Sequence, residues 1–285
     1  MYFGWITKTT FLLVLLLGIT TITLWLGLVR FQNDETKIVF LSVGQGDAIL
    51  IQSGRQQILI DGGRDGKTLL SALGREIPFY DRTIEAVIAT HPDADHIGGF
   101  PALLERYRVE GYIYTGAAGK SDDFVLVERM LEQKEISEVV SGRLGTSIEL
   151  GHGGKLTLLY PYHLPLAPET ETNEGSIVAR FDFGETSFLL TGDLPQEEVF
   201  LPSIESVDVL KAAHHGSRFS TSDVWLDLVQ PKEVIISVGK NAYGHPHREV
   251  MERLAKRGIA TYRTDELGSI VYQCFTAQNR CFREE

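Results

Sequence analysis

The segment Ala89-Thr90-His91-Pro92-Asp93-Ala94-Asp95-His96-Ile97-Gly98-Gly99 constrains this chain more than any other. An apolar run, Ala86 to Thr90, reads as a buried strand and leads directly into His91, Asp93, Asp95 and His96. Pro92 and the paired glycines keep a regular strand or helix from absorbing these residues. A solvated turn followed by a helix cap needs one or two such side chains, not two His and two Asp. Imidazole nitrogen and carboxylate oxygen are ligands that Zn, Mn and Fe accept. The chain must therefore build a sheet that ends its strands around a metal centre.

Two later strand ends repeat the pattern. Ser187 to Leu190 runs into Thr191-Gly192-Asp193, whose carboxylate can bridge two metals. Val207 to Ala213 runs into His214-His215-Gly216-Ser217, which offers one ligand and one proton donor or phosphate contact. Around them, short apolar runs alternate with helical stretches. Strands are expected at Ile38–Val43, Ala48–Gln52, Gln57–Ile60, Lys155–Tyr160, Ser176–Phe183, Thr186–Thr191, Glu233–Val238, Thr261 and Ile270. Helices are expected at Lys67–Glu76, Phe100–Arg108, Phe124–Lys134, Gln196–Leu201, Asp223–Val229 and Arg248–Lys256. No repeat or low-complexity boundary divides residues 38–285, so they read as one α/β domain. Two layers of sheet between two layers of helix suit that length.

Residues 11–29 contain no charge and, at about 1.5 Å per residue, reach across roughly 28 Å of hydrocarbon. Trp5 and Trp25 suit its interfaces. A cleaved signal would have a shorter apolar stretch and a small-residue cleavage site, and a core helix would show polar periodicity. Residues 1–30 therefore read as a single-pass anchor into the lipid bilayer, and residues 31–37 as a polar linker. Lys8 and the amino terminus are balanced by Arg30 and Lys37, so charge does not orient the helix. The net charge of −11 excludes a broad basic face for duplex DNA. Two cysteines, Cys274 and Cys281, are too few for a disulfide scaffold; around a short turn, they are expected to bridge in an exported domain. Trp225 is expected in the core.

The motifs at residues 40–52 (FLSVGQGDAILIQ), 60–63 (IDGG), 90–99 (THPDADHIGG), 191–193 (TGD), 214–222 (HHGSRFSTS) and 241–247 (NAYGHPH) together resemble the metallo-β-lactamase superfamily, in particular the corresponding domain of ComEC-type competence proteins. The resemblance implies a four-layer αββα sandwich, here preceded by one transmembrane helix, with two divalent metal ions at the sheet ends. It places His91 and Asp93 on the first metal, Asp95, His96 and His214 on the second, and Asp193 between them. Asp95 and His215 take the catalytic roles, His215 facing the leaving group, and the roles of His214 and His215 are interchangeable. Asp61 orients ligands from behind, and Gly44, Gln45, Gly46 and Asp47 bring backbone close to the site. The usual loop is His-x-His-x-Asp-His; Asp93 here replaces its second His. The usual separate His is not evident; Asn173 and Ser176 stand nearest its place, whereas His152 and His163 lie in turns. Fewer imidazoles favour Mn over Zn at the first site.

Ser217, His245 and His247, with Asn241 and Tyr243, are candidate substrate contacts at the rim; the competing reading of the two histidines is a loop and a helix cap. The expected function is membrane-anchored, two-metal hydrolysis of phosphodiesters, in DNA or nucleotides, linked to DNA uptake. The catalytic domain is expected outside the cytoplasmic membrane, with single-stranded DNA as substrate and a separate membrane channel protein as partner, since this chain has no multi-helix channel of its own. The rivals are an envelope esterase for phosphorylcholine-type or other small phosphodiesters, and a non-catalytic binding subunit with a degenerate site.

Overall fold

The computed structural model describes the chain except residues 1–7, 33–35, 135, 137, 165 and 167–169, and the side chains of residues 8, 26–32 and 138. Helix α1, Lys8–Gln32, opens the described chain. Its threonines return their hydroxyls to the preceding turn: Thr20 and Thr21 to Leu17 O, and Thr23 to Ile19 O, each at 2.9 Å. Phe11, Leu12, Leu17 and Trp25 are exposed. Among the described residues, no helix is long and apolar enough to cross a membrane. The expected helix thus forms over residues 11–29, while its crossing of a bilayer is not shown; Trp5 lies outside the described residues.

Strands β1 (Thr36–Phe40), β2 (Ile49–Ser53), β3 (Gln56–Ile60), β4 (Thr83–Ile88), β5 (Arg108–Tyr114) and β6 (Glu138–Ser141) form most of the first sheet. Strands β7 (Ser147–Glu149), β8 (Gly154–Tyr160), β9 (Val178–Phe183), β10 (Thr186–Leu190), β11 (Val209–Lys211), β12 (Glu233–Ile236) and β13 (Ala260–Arg263) form the second. Strands β14 (Ile270–Phe275) and β15 (Arg280–Arg283) return to the first, giving the order β15-β14-β1-β2-β3-β4-β5-β6. Thr36 and Lys37, read from sequence as linker, begin β1. Arg108, read as helical, begins β5, because the helix before it stops at Arg106.

The sheets face each other across a core that takes Ile38, Phe40, Ile51 and Ile88 from one and Phe181, Phe188, Leu190 and Val209 from the other. Alternate residues of the first sheet, among them Val39, Leu50 and Val87, pack under helices α2 (Gly66–Glu76), α3 (Ala94–Ile97), α4 (Phe100–Arg106) and α5 (Asp122–Gln133). The far face of the second sheet is covered by α6 (Glu197–Phe200), α7 (Asp223–Val229) and α8 (Arg248–Lys256) through Leu201, Trp225, Leu226, Val250 and Leu254; a short α9 (Thr264–Leu267) follows β13. The arrangement is the expected αββα order.

Strand direction places the site. β3 pairs parallel with β4, and β1 runs the same way because β2 is antiparallel to both β1 and β3. β10, β11 and β12 are mutually parallel. Their C-terminal ends meet where Ile177 N donates to Thr90 O across the sheets at 2.9 Å. At the opposite edge, Cys274 and Cys281 face each other across the β14–β15 ladder and are joined as a disulfide.

Candidate metal centre

Each ligand-bearing segment leaves the end of a strand and turns sharply. After β4, Asp93 ends the extended chain, and α3 lifts Asp95 and His96 on successive positions of one short turn. Gly46 sits against this turn: a Cβ there would lie 2.0 Å from Asp95 O, and its φ of +120° suits only glycine. After β11, His214 and His215 both adopt left-handed backbone, with φ of 48° and 53°. Such residues cost about 1–3 kcal/mol each, and they cluster where a fold must aim side chains. Here the consecutive turns send the two rings in different directions.

His215 is buried. Its Nδ1 donates to Ser237 O at 2.9 Å, and its Nε2 points to Asp95 Oδ2 at 3.5 Å and Asp193 Oδ2 at 3.4 Å. His214 stays at the mouth with its side chain 29% exposed, Nε2 3.8 Å from Asp193 Oδ2 and Nδ1 3.4 Å from Asn173 Nδ2. His96 lies between two carboxylates: Nδ1 is 2.8 Å from Asp61 Oδ2, and Nε2 is 3.2 Å from Asp193 Oδ2. The rings of His91 and His96 are 4.0 Å apart, centroid to centroid. Asp93 is half exposed, with Oδ2 3.8 Å from His91 Nε2.

Potential ligand atoms lie within 4.8 Å of one another in each of four overlapping sets: His91, His96 and Asp193; Asp95, His96 and His215; Asp47, Asp193 and His215; and Asp47, Asp61 and His96. The decisive feature is what these atoms lack. Nε2 of His91, His96 and His215, Oδ1 of Asp193 and Asp47, and Oδ1 of Asn173 are all buried without a hydrogen-bond partner in the protein. Buried polar atoms are rarely left unpaired, because each costs about 1–3 kcal/mol. Imidazole nitrogens and carboxylate oxygens converging in this state fit divalent cations.

Electrostatics agree with that fit. Burial and the neighbouring His96 hold His91 well below its ordinary pKa, which keeps its lone pair free. Burial alone would lower His96, but Asp193 and Asp61 at its two nitrogens raise it well above the imidazole range. His215 is likewise raised against its burial, to about 9, chiefly by Asp193 and Asp47. Asp193 is held well below the carboxylate range because His215, His96 and Lys211 outweigh its burial. Burial pushes Asp61 up and Asp93 up.

The supporting residues divide into distinct jobs. Asp61 accepts from Thr90 N at 2.8 Å and Thr90 Oγ1 at 2.7 Å as well as facing His96, so it fixes the His96 ring. Ser176 accepts from Asp193 N at 3.2 Å. Ser217 is buried, and its hydroxyl accepts from Phe219 N at 3.4 Å. His247 caps α8, where its Nδ1 accepts from Glu249 N. Asn241 is fully used within its own loop, receiving Tyr243 N and His245 N and donating to the carbonyls of Gly239 and His245. That loop carries His245 to 5.3 Å from the His214 ring and Tyr243 to 5.8 Å from His245, with Tyr243 66% exposed. Burial and the nearby His214 lower His245 to about 4. His152 and His163 belong to turns outside the cluster. Sequence reasoning missed Lys211, Thr90 and Ser237; a lone lysine within the apolar run of β11 was the available signal for the first.

Residues 41–240 match the family described as the metallo-beta-lactamase superfamily. The chain is 33% identical over 270 residues to ComE operon protein 3 of Bacillus subtilis, covering 85% of this chain and 33% of that protein. It is 30% identical over 247 residues to Recombination protein 2 of Haemophilus influenzae, covering 85% and 29%. This chain therefore spans about a third of the length of these relatives. The metallo-beta-lactamase fold protein YhfI of Bacillus subtilis superposes with a TM-score of 0.57 at 15% identity, over 84% of this chain and 99% of that one, a likeness of fold.

Proposed function

Because the chain belongs to the metallo-β-lactamase superfamily, with ComEC-type competence proteins as relatives, we propose that it is a metal-dependent phosphodiesterase acting on DNA or nucleotides and held at a membrane by α1. The observation that carries this reading is the set of unpartnered ligand atoms on His91, His96, Asp193 and His215.

Two divalent ions, when bound, supply charge neutralisation at a phosphate and activation of water. His91 and Asp193, with Asp93 3.8 Å from His91, would hold one ion; Asp95, His96 and His215 would hold the other. Asn173 offers its orphaned oxygen beside the first. This assigns the ligand role to His215, because its Nδ1 is committed to Ser237 O and its Nε2 is free. His214 takes the place at the leaving group. Burial keeps its pKa below the ordinary value, and Asn173 at Nδ1 leaves Nε2 to donate to a phosphate oxygen. The oxygen-rich first site favours Mn²⁺, and the imidazole-bearing second accepts Mn²⁺ or Zn²⁺.

The exposed apolar side chains of α1 support a bilayer as their environment. The Cys274–Cys281 bridge supports an oxidising compartment, hence a domain outside the cytoplasm. The DNA substrate draws its support from a relative named for recombination.

The test incubates the full chain in detergent with Mn²⁺ or Zn²⁺ and, separately, single-stranded DNA, duplex DNA and small phosphodiesters including a phosphorylcholine ester. Mn²⁺-dependent cleavage of DNA is expected. Turnover of the small esters alone would transfer the assignment to an envelope esterase, and no turnover with either metal would contradict it.

A further inference from the structure

Lys211 ends β11 with no exposed surface, beside the candidate metal centre. Its ammonium donates to Gly192 O at 3.0 Å, pairs with Asp47 Oδ2 and lies 3.8 Å from Asp193 Oδ1. A lysine is almost never fully buried without such partners. The pairing has a geometric consequence at each carboxylate. Asp193 presents Oδ2 to His96, His215 and His214, while its Oδ1 faces the ammonium. Asp47 is close enough to His215 and Asp193 to be counted among potential ligands, yet its Oδ2 is taken by Lys211.

We infer that Lys211 is a positioning residue that sets the centre's charge: it holds Oδ2 of Asp47 away from the cations, leaving that residue only Oδ1, and sets a fixed positive charge beside Oδ1 of Asp193. The fixed positive charge stands within the same cluster as any bound ion and repels it. Divalent affinity is thereby held below what four clustered carboxylates, Asp47, Asp61, Asp95 and Asp193, would give. A centre that binds its ions less tightly leaves them more open to substrate oxygens.

The inference rests on the metal-centre reading, and the test separates the two. Mn²⁺ binding is titrated calorimetrically into the full chain in detergent, for the native protein, Lys211→Met, Asp47→Asn and the double variant. Lys211→Met is expected to bind Mn²⁺ on the order of tenfold more tightly, since it removes a charge and frees Asp47. Asp47→Asn is expected to bind on the order of tenfold more weakly, since the ammonium then faces the ions without its counter-charge. The double variant, which restores the native net charge, should return to within about threefold of native. If Lys211→Met fails to fold because Asp47 is left buried and unpaired, Asp47→Asn and the double variant carry the test. Native protein that binds Mn²⁺, with Asp47→Asn unchanged or tighter, overturns the role of Lys211 alone. Native protein that binds no Mn²⁺ overturns both readings.

Discussion

Asp61 Oδ2 lies 2.8 Å from His96 Nδ1, while the other nitrogen of that ring faces Asp193 at 3.2 Å. One carboxylate thus fixes the ring that a second carboxylate and a cation would share. Replacing Asp61 with Ala should weaken Mn²⁺ binding by about 10- to 100-fold. It should also leave Thr90 N and Oγ1 without their acceptor. Isothermal titration checks this, and unchanged affinity would remove Asp61 from the centre.

His214 and His215 are expected to separate cleanly. His215→Ala should reduce bound Mn²⁺ from two ions to one, because it deletes an unpartnered Nε2 beside Asp95 and Asp193. His214→Ala should retain both ions and lower kcat by about 100-fold, at the low end for a lost hydrogen-bond donor to a developing charge. Metal analysis after desalting, set beside turnover, distinguishes the two. The reverse pattern would exchange their roles.

Glu197 gives a pH signature away from the ligands. Its carboxylate is fully buried against Thr221 N at 2.9 Å, and burial raises its pKa to about 8. A group raised in the fold contributes stability that is complete below its unfolded value near 4.5 and is lost as pH rises through 8. Each unit of difference is worth about 1.4 kcal/mol. Denaturation midpoints between pH 5 and 9 should therefore fall less steeply with pH in Glu197→Gln than in the native protein. Parallel profiles would show that Glu197 does not carry this dependence.

Tyr243 stands over His245 at the mouth, exposed, on a loop that Asn241 holds rigid. Stacking of one base on an aromatic ring contributes about 1–3 kcal/mol. Tyr243→Ala should then raise KM for single-stranded DNA about tenfold with kcat little changed. Steady-state kinetics on a short oligonucleotide measures the split, and an unchanged KM would leave Tyr243 outside the substrate path.

Much of the site is legible in the sequence because four candidate ligands crowd into residues 91–96, although the single turn of α3 takes up Asp95 and His96, which the sequence reading left outside any regular element. The layered fold is legible because its strands are short apolar runs separated by glycine turns. What sequence hides is direction. Which histidine of the pair turns inward depends on two consecutive left-handed residues, a conformation that no propensity predicts for histidine. Strand β5 is obscured because Arg108, Glu110 and Gly111 interrupt its apolar pattern, although four parallel pairings to β6 and five to β4 hold residues within it. Lys211 is hidden for the opposite reason: a charged residue in a buried strand is read as tolerated until its partners, Asp47 and Gly192, are seen from distant segments.

Cleavage of single-stranded DNA by the full chain, compared with Asp193→Asn in the presence of Mn²⁺, tests the central claim most directly. Asp193 stands between the histidines of both ligand sets, so its loss disables both. The account predicts Mn²⁺-dependent cleavage by the native chain, abolished by a chelator and reduced at least about 1000-fold in the variant. Cleavage that survives the chelator, or that Asp193→Asn performs at the native rate, would contradict it.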